Sequence, residues 1–208
     1  MANGLLVDQP LRELLAAFAS RNPTPGGGSA SALAASVGAA LLLMVGAMPK
    51  TRLGTEEDRV ALDTAGAALI PIQDRLTAAV DADAAAYAQV VAAYKQPKAT
   101  QPEREARLAS VQRALRAATD VPLDVMRLSV VALEQAGTIA KHGHRAAASD
   151  VSVAVALLQA GLRGAWLNVE TNLTSVTDTD YFDAVRSEIE RLAGKAVVLA
   201  RQAEEALR

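Results

Sequence analysis

A glycine-rich segment near the start of the chain is the sharpest local feature of the sequence. Residues 23–29 read PTPGGGS and lead into a long apolar stretch. Gly26, Gly27 and Gly28 would let a ligand approach the backbone, and with Ser29 they would open a helix whose free N–H groups suit an anion or a polarised oxygen. The segment lacks the Gly-Lys-Ser/Thr of a nucleotide-binding P-loop. A flexible connector before a tightly packed helix is the alternative interpretation.

Two aspartates are the candidate groups for acid–base chemistry. Asp150 follows a polar link at the expected start of an otherwise apolar helix. Asp81 and Asp83 lie two residues apart on an alanine-rich helix, which puts their carboxylates on different faces. We expect Asp83 to face inward and Asp81 to be solvated. The alternatives are an N-cap role for Asp150 and a surface position for Asp83.

The pattern of apolar residues, prolines and glycines predicts helices along the whole chain and no strand. The expected helices cover residues 10–21, 30–48, 56–94, 103–118, 120–141, 151–173 and 181–208, with Asp8 and Ser29 as N-caps of the first two. No linker or shift in composition divides the chain, so residues 1–208 are predicted to form one domain.

Two of these helices, 30–48 and 151–173, are apolar on nearly every side. Helices of this kind belong at the centre of a bundle. A chain of 208 residues covers only part of their surface. We therefore predict an all-α, single-domain helical bundle that assembles as a homodimer.

Composition limits the function classes. The formal charge of −2 gives no broad cationic surface, so a nucleic-acid partner is not expected. The chain has no cysteine and only two histidines, His142 and His144, so we expect no disulfide, no thiolate nucleophile and no metal site. The stretch 22–49 is uncharged and long enough to span a membrane, but its alanine, glycine and serine content favours a buried helix. With no secretory signal visible at the N-terminus, we expect a cytoplasmic protein without membrane contact.

Several segments, in order along nearly the whole chain, resemble one family of enzymes. They are PTPGGGSASALAASVGAALLLMV from Pro23, DAAAY from Asp83, AYKQPK from Ala93, ATDVPL from Ala118, and the pair Ser149-Asp150. The chain resembles the formiminotetrahydrofolate cyclodeaminase and methenyltetrahydrofolate cyclohydrolase family. The resemblance implies an all-helical, dimeric folate enzyme that uses no metal or redox cofactor.

The resemblance also suggests roles for the remaining polar residues. Lys50 and Arg52 could bind the anionic tail of folate, and Asn168 and Asn172, one helical turn apart, could hydrogen-bond the pterin edge. His144 could replace a polar family residue in the site. Surface exposure of the charged groups and contacts between helices for the two asparagines are the alternatives.

The expected helix 30–48 separates two of these groups. At about 30 Å long, it puts the glycine-rich segment and Lys50 of one subunit at opposite ends. A single site that uses both would therefore need a neighbouring subunit.

The chemistry of the family needs one acid–base group at a folate carbon. Water attacks that carbon when a methenyl bridge is opened, and ammonia leaves it when a formimino group is closed. Asp150 is the principal candidate for this role, with Asp83 as the second, and the sequence leaves the choice between the two reactions open. Residues 47–49 and 143–146 depart from the family pattern. A non-catalytic helical oligomer that keeps the fold, with or without folate binding, is the alternative function.

Overall fold

The computed structural model describes residues 4–208, which form six α-helices and two short 3₁₀ turns. The helices are α1 (Leu11–Phe18), α2 (Gly27–Gly46), α3 (Glu56–Tyr94), α4 (Gln101–His142), α5 (Ala148–Leu173) and α6 (Thr179–Ala206). The 3₁₀ turns cover Leu6–Asp8 and Arg145–Ala147. No strand occurs among the described residues, and the predicted all-α class is confirmed.

The two apolar helices, α2 and α5, pack against each other in antiparallel directions. A Cβ added to Gly38 would lie 2.8 Å from the carbonyl oxygen of Ala154, and one added to Gly161 would lie 2.7 Å from that of Ser31. Only glycine permits backbones to approach this closely. Backbone contact at Gly38 and Gly161 therefore brings α2 and α5 together.

Helix α4 contacts α2, α3, α5 and α6, and it is a single helix where the sequence predicted a break at residue 119. The prediction was wrong because Pro122 lies inside the helix without ending it. Proline has no N–H to donate to the carbonyl four residues earlier, which is that of Ala118. The Nδ2 of Asn172 on α5 donates to this carbonyl at 2.8 Å. A neighbouring helix therefore replaces the missing hydrogen bond, and α4 continues to His142.

Helix α3 begins where the sequence predicted, because a capping box closes its first turn. The Asp58 N–H donates to Thr55 Oγ1 at 3.1 Å, and the Thr55 N–H donates back to Asp58 Oδ2 at 3.3 Å. Pro71 lies on the exposed side of α3 and does not end the helix.

The predicted N-caps of the first two helices were wrong. Asp8 ends a 3₁₀ turn, and α1 starts at Leu11 with Pro10 as its N-cap. Helix α2 starts at Gly27, two residues before Ser29. Its N-cap is Gly26, which has no side chain to form a capping bond. The group that caps α2 comes from α3 and is described below.

Helix α2 is long and apolar enough to cross a membrane by length and composition alone. In the bundle, however, 56% of the most apolar 18-residue stretch of α2 is buried. Its open side carries Val37, which is 44% exposed, and Met44, which is 43% exposed. On α5, Val153 and Leu167 are exposed as well. The bundle therefore leaves apolar surface uncovered on both of its most apolar helices.

Candidate functional site

The predicted site residues divide between two cavities that lie at opposite ends of α2. The first, here called the glycine cavity, has a volume of about 320 Å³. Its polar and glycine lining consists of Thr24, Gly26, Gly27, Gly28, Asp83, Tyr87, Asn168, Thr171 and Asn172. The second, here called the Asp150 cavity, has a volume of about 330 Å³ and is lined by Met48, Pro49, Lys50, His144, Ala146, Ala147 and Asp150.

In the glycine cavity, Asp83 caps the start of α2 from the neighbouring helix. Its Oδ2 accepts hydrogen bonds from the Ser29 N–H at 2.8 Å and from the Ser29 hydroxyl at 3.0 Å. Gly26 cannot supply this cap itself because it has no side chain. The Asp83 carboxylate also lies at the positive end of the α2 dipole, which stabilises its charge. The inward orientation predicted for Asp83 is therefore found.

Gly28 is the glycine of the segment at which an added side chain would force the Asp83 carboxylate to move. A Cβ at this position would lie 2.5 Å from Asp83 Cγ and 2.8 Å from Oδ2. A Cβ at Gly27 would lie 3.5 Å from Asn168 Nδ2, an ordinary contact, and one at Gly26 would lie 3.4 Å from the Pro23 oxygen. Helix α2 begins within the glycine-rich segment, at Gly27.

The two asparagines of the glycine cavity each use their amide nitrogen to bind a backbone carbonyl. Asn168 Nδ2 donates to the Gly164 oxygen at 2.8 Å, and Asn172 Nδ2 donates to the Ala118 oxygen at 2.8 Å. Their side-chain oxygens are the acceptors that a ligand in the cavity could use. Tyr87 is 43% exposed and lines the same cavity.

In the Asp150 cavity, two side chains come from separate connections and a third comes from the first turn of α5. Asp150 lies in the first turn of α5, whose N-cap is Ala147, so the N-cap alternative for Asp150 was wrong. Lys50 is exposed in the connection between α2 and α3. His144 lies between α4 and α5, and its Nδ1 accepts a hydrogen bond from the Ala146 N–H at 3.1 Å. Within residues 4–208, neither Lys50 nor Asp150 forms an ion pair.

Arg52 lies beside the Asp150 cavity and connects the ends of two helices. Its Nη1 donates to the Ala140 oxygen at 3.1 Å and to the Ala206 oxygen at 2.7 Å. These bonds tie α4 and α6 to the connection that carries Lys50. A role for Arg52 in substrate binding stays a prediction.

The prediction that Asp81 is solvated was wrong. Asp81 is not free in solvent, because its carboxylate accepts hydrogen bonds from the Leu6 N–H at 2.5 Å and the Val7 N–H at 3.4 Å. Arg163 has no carboxylate partner within the described part of the chain. Its guanidinium instead lies over the Trp166 ring, 4.4 Å from the centroid.

A buried acid–histidine pair escaped the sequence analysis. Asp58 Oδ1 lies 2.8 Å from His142 Nδ1, and the two side chains are only 4% and 14% exposed respectively. The hydrogen bond from His142 holds the pKa of Asp58 well below its usual range, against the opposing effect of burial. The Thr55-x-x-Asp58 spacing indicates a capping box, but it carries no sign of a partner 84 residues away.

Comparison with known proteins adds to this geometry. A family model described as formiminotransferase-cyclodeaminase matches residues 10–191. The chain belongs to this family. The family resemblance stated from the motifs is confirmed.

Two curated relatives and one solved structure show how far the similarity to the family extends. The chain is 36% identical to formimidoyltransferase-cyclodeaminase of Gallus gallus over 204 residues, which cover 94% of this chain and 37% of that relative. It is 34% identical to methenyltetrahydrofolate cyclohydrolase of Methylorubrum extorquens, over 92% of both chains. The crystal structure of formiminotetrahydrofolate cyclodeaminase from Thermotoga maritima superposes with a TM-score of 0.85, at 25% identity and over 96% of each chain.

Proposed function

We propose that this chain is a folate-dependent one-carbon enzyme that acts on the C1 unit of tetrahydrofolate. The observation that carries the proposal is the similarity over 92% of both chains to a methenyltetrahydrofolate cyclohydrolase. The fold similarity to a formiminotetrahydrofolate cyclodeaminase supports the same substrate class. The substrate is a tetrahydrofolate derivative, and the reaction is the opening of a methenyl bridge or the closure of a formimino group.

Both reactions pass through one tetrahedral carbon. In the first, water adds to the positively charged methenyl carbon, one proton is released, and a carbon–nitrogen bond breaks to leave a formyl group. In the second, the other folate nitrogen attacks the formimino carbon, and ammonia leaves after taking up a proton. A single carboxylate that accepts and returns a proton at this carbon serves both reactions.

Asp150 is the best-placed group for that proton transfer. Its carboxylate lines a cavity and is not neutralised by an ion pair within residues 4–208. Asp83, in contrast, already holds two hydrogen bonds at the start of α2. We assign the proton transfer to Asp150 and assign Asp83 to the shaping of the glycine cavity around the substrate.

The other polar residues are assigned to substrate binding. Lys50 would meet the anionic tail of folate, and His144 would lie beside the reacting end in the same cavity. The side-chain oxygens of Asn168 and Asn172 would accept from the pterin edge, whose donors suit them.

One complete site requires both cavities, and we propose that a homodimer brings them together. Within a chain they lie at the two ends of α2, which is 20 residues and about 30 Å long. The open side of α2 is apolar, with Ala30, Val37, Ala40 and Met44 exposed at helical spacing. A second copy of the chain would cover this side through a self-complementary interface.

A two-fold axis near Val37 would give the required geometry. Val37 lies next to the midpoint of α2, so the axis would pair the α2 helices of two subunits in antiparallel directions. The glycine cavity of one subunit would then lie beside the Asp150 cavity of its partner. A stable monomer at micromolar concentration, seen by analytical ultracentrifugation, would contradict this arrangement.

We further propose that the enzyme works in the cytoplasm, without a membrane or nucleic-acid partner and without a metal or redox cofactor. Burial of α2 in the bundle and in the dimer would account for its apolar sequence. The described residues contain no group of three or more metal-ligating side chains, and the proposed proton transfers use a carboxylate. 

A non-catalytic oligomer is the alternative, and one observation favours it. Arg52 and His144, both expected at the site, already hold backbone groups of the chain itself. Loss of methenyltetrahydrofolate absorbance on addition of the purified protein, measured beside release of ammonia from formiminotetrahydrofolate, separates the two functions. Turnover of either substrate above the uncatalysed rate supports the proposed enzyme activity. If neither substrate is turned over, that proposal is refuted.

A further inference from the structure

We infer that Asp58 and His142 form a positioning pair that holds Lys50 at the Asp150 cavity. The expected effect on substrate binding rests on the proposed function, whereas the positioning of Lys50 rests on the geometry alone. Both side chains are nearly buried, and neither lines the Asp150 cavity. Their effect must therefore pass through the segments that they hold.

Each oxygen of the Asp58 carboxylate holds a different part of the chain. Oδ1 lies 2.8 Å from His142 Nδ1. Oδ2 accepts hydrogen bonds from the Thr51 hydroxyl at 3.2 Å, from the Leu53 N–H at 3.0 Å and from the Thr55 N–H at 3.3 Å. The connection between α2 and α3 therefore folds around one oxygen, immediately after Lys50.

The number of these hydrogen bonds exceeds what helix capping requires. A capping box needs only the bond to the Thr55 N–H and its return partner. The bonds from Thr51 and Leu53 fix the connection outside the helix. Gly54 completes the turn with a positive φ of 73° and donates its N–H to Thr51 Oγ1 at 2.9 Å.

His142 links the connection between α2 and α3 to the connection between α4 and α5, which also lines the cavity. It is the last residue of α4, and its carbonyl oxygen accepts a hydrogen bond from the Arg52 N–H at 2.9 Å. His144 follows two residues later and lines the cavity with Asp150. The pair thus joins the two connections that supply Lys50 and His144, through a side-chain bond and a backbone bond.

The test is a double-mutant cycle between Asp58→Asn and Lys50→Met, with Asp74→Asn as the matched control. Asp74 is an exposed aspartate on the same helix. We expect Asp58→Asn to raise KM for the folate substrate about tenfold while kcat changes little, since only the binding group is displaced. We expect Asp58→Asn to add nothing when Lys50 is already Met. Unchanged KM, or additive effects of the two substitutions, would overturn the inference.

A second set of variants keeps the inference testable if Asp58→Asn does not fold. His142→Asn retains a nitrogen donor near the Nδ1 position and should preserve KM, whereas His142→Ala should raise it. Hydrogen–deuterium exchange of residues 49–55 should rise in His142→Ala and in Asp58→Asn but not in Asp74→Asn. Equal exchange in all variants would refute the positioning role even without turnover. If the unmodified protein acts on neither folate, the proposed function has failed, and the exchange result alone decides on the pair.

Discussion

The glycine cavity and the Asp150 cavity differ in how far the chain already uses their polar side chains. In the glycine cavity, Asp83, Asn168 and Asn172 each bind the chain's own backbone. In the Asp150 cavity, Lys50 and Asp150 line the space without an ion pair inside the described chain.

This difference supports the proposed division between ring binding at one end of α2 and proton transfer at the other. A rigid surface with satisfied hydrogen bonds suits the recognition of a flat ring, because it loses little conformational entropy on binding. A carboxylate without a fixed partner is free to accept a proton. We therefore assign recognition of the pterin ring to the glycine cavity, and we assign proton transfer, beside binding of the folate tail by Lys50, to the Asp150 cavity.

The largest effect is expected from Asp150→Asn. The amide keeps the size of the side chain but cannot accept a proton, so kcat should fall by about 10²–10⁴. Because Ala147 is the N-cap, the melting temperature should change little. Methenyl absorbance and thermal unfolding measure the two quantities. Turnover within a few-fold of the unmodified protein would remove Asp150 from the mechanism and transfer its role to Asp83.

A smaller effect, on both stability and binding, is expected from Gly28→Ala at the other end of α2. The added Cβ would push the Asp83 carboxylate away from Ser29. We expect a loss of about 1–3 kcal/mol in the free energy of unfolding, as for other overpacked sites, together with a higher KM. Gly27→Ala is the control and should stay within about 0.5 kcal/mol, because its Cβ meets only an ordinary contact. Equal behaviour of the two variants would mean that Asp83 does not restrict this segment.

The contribution of Asp58 to the free energy of unfolding is expected to depend on pH. Its folded pKa lies below the ordinary value of 3.8, so the unfolded chain takes up the proton first as the pH falls. The stabilisation is therefore complete well above pH 3.8 and is lost as the pH falls below it. The difference in unfolding free energy between the unmodified protein and Asp58→Asn, measured by urea unfolding, should shrink from pH 7 to pH 3. A difference that stays constant would show that Asp58 is not stabilised by its partners.

The smallest effect is expected from metal removal. The proposed proton transfer uses the Asp150 carboxylate, so treatment with a chelator should leave turnover unchanged. Turnover lost on chelation and restored by a divalent cation would contradict the proposal.

The sequence predicts the fold well wherever a local pattern decides the structure. The apolar content of α2 and α5 indicated two central helices, and the acidic residues Glu56–Asp58 favoured the start of α3. The predicted break before Pro122 was wrong, because the hydrogen bond that lets α4 continue comes from Asn172 on another helix. The cap of α2 was misplaced for the same reason, since Asp83 supplies it from α3.

The same limit applies to the candidate site. Residue types pointed to both cavities, because glycines, carboxylates and amides are recognisable wherever they occur. The pairing of Asp58 with His142 could not be predicted, since it depends on how α3 and the end of α4 pack. The carbonyl partners of Arg52 likewise come from two distant helices. Long-range packing decides which polar side chains stay available for a ligand.

The most direct test of the account is a heterodimer of two impaired variants. Asp83→Asn and Asp150→Asn chains carrying different tags would be co-expressed, and the heterodimer would be purified through both tags. If each site combines the glycine cavity of one subunit with the Asp150 cavity of its partner, one site carries both substitutions and the other carries none. The heterodimer should then show about half of the unmodified kcat at the unmodified KM, while the Asp150→Asn homodimer stays inactive and the Asp83→Asn homodimer has a raised KM. A heterodimer with the raised KM of the Asp83→Asn homodimer would show that each site lies within a single chain and would contradict the account.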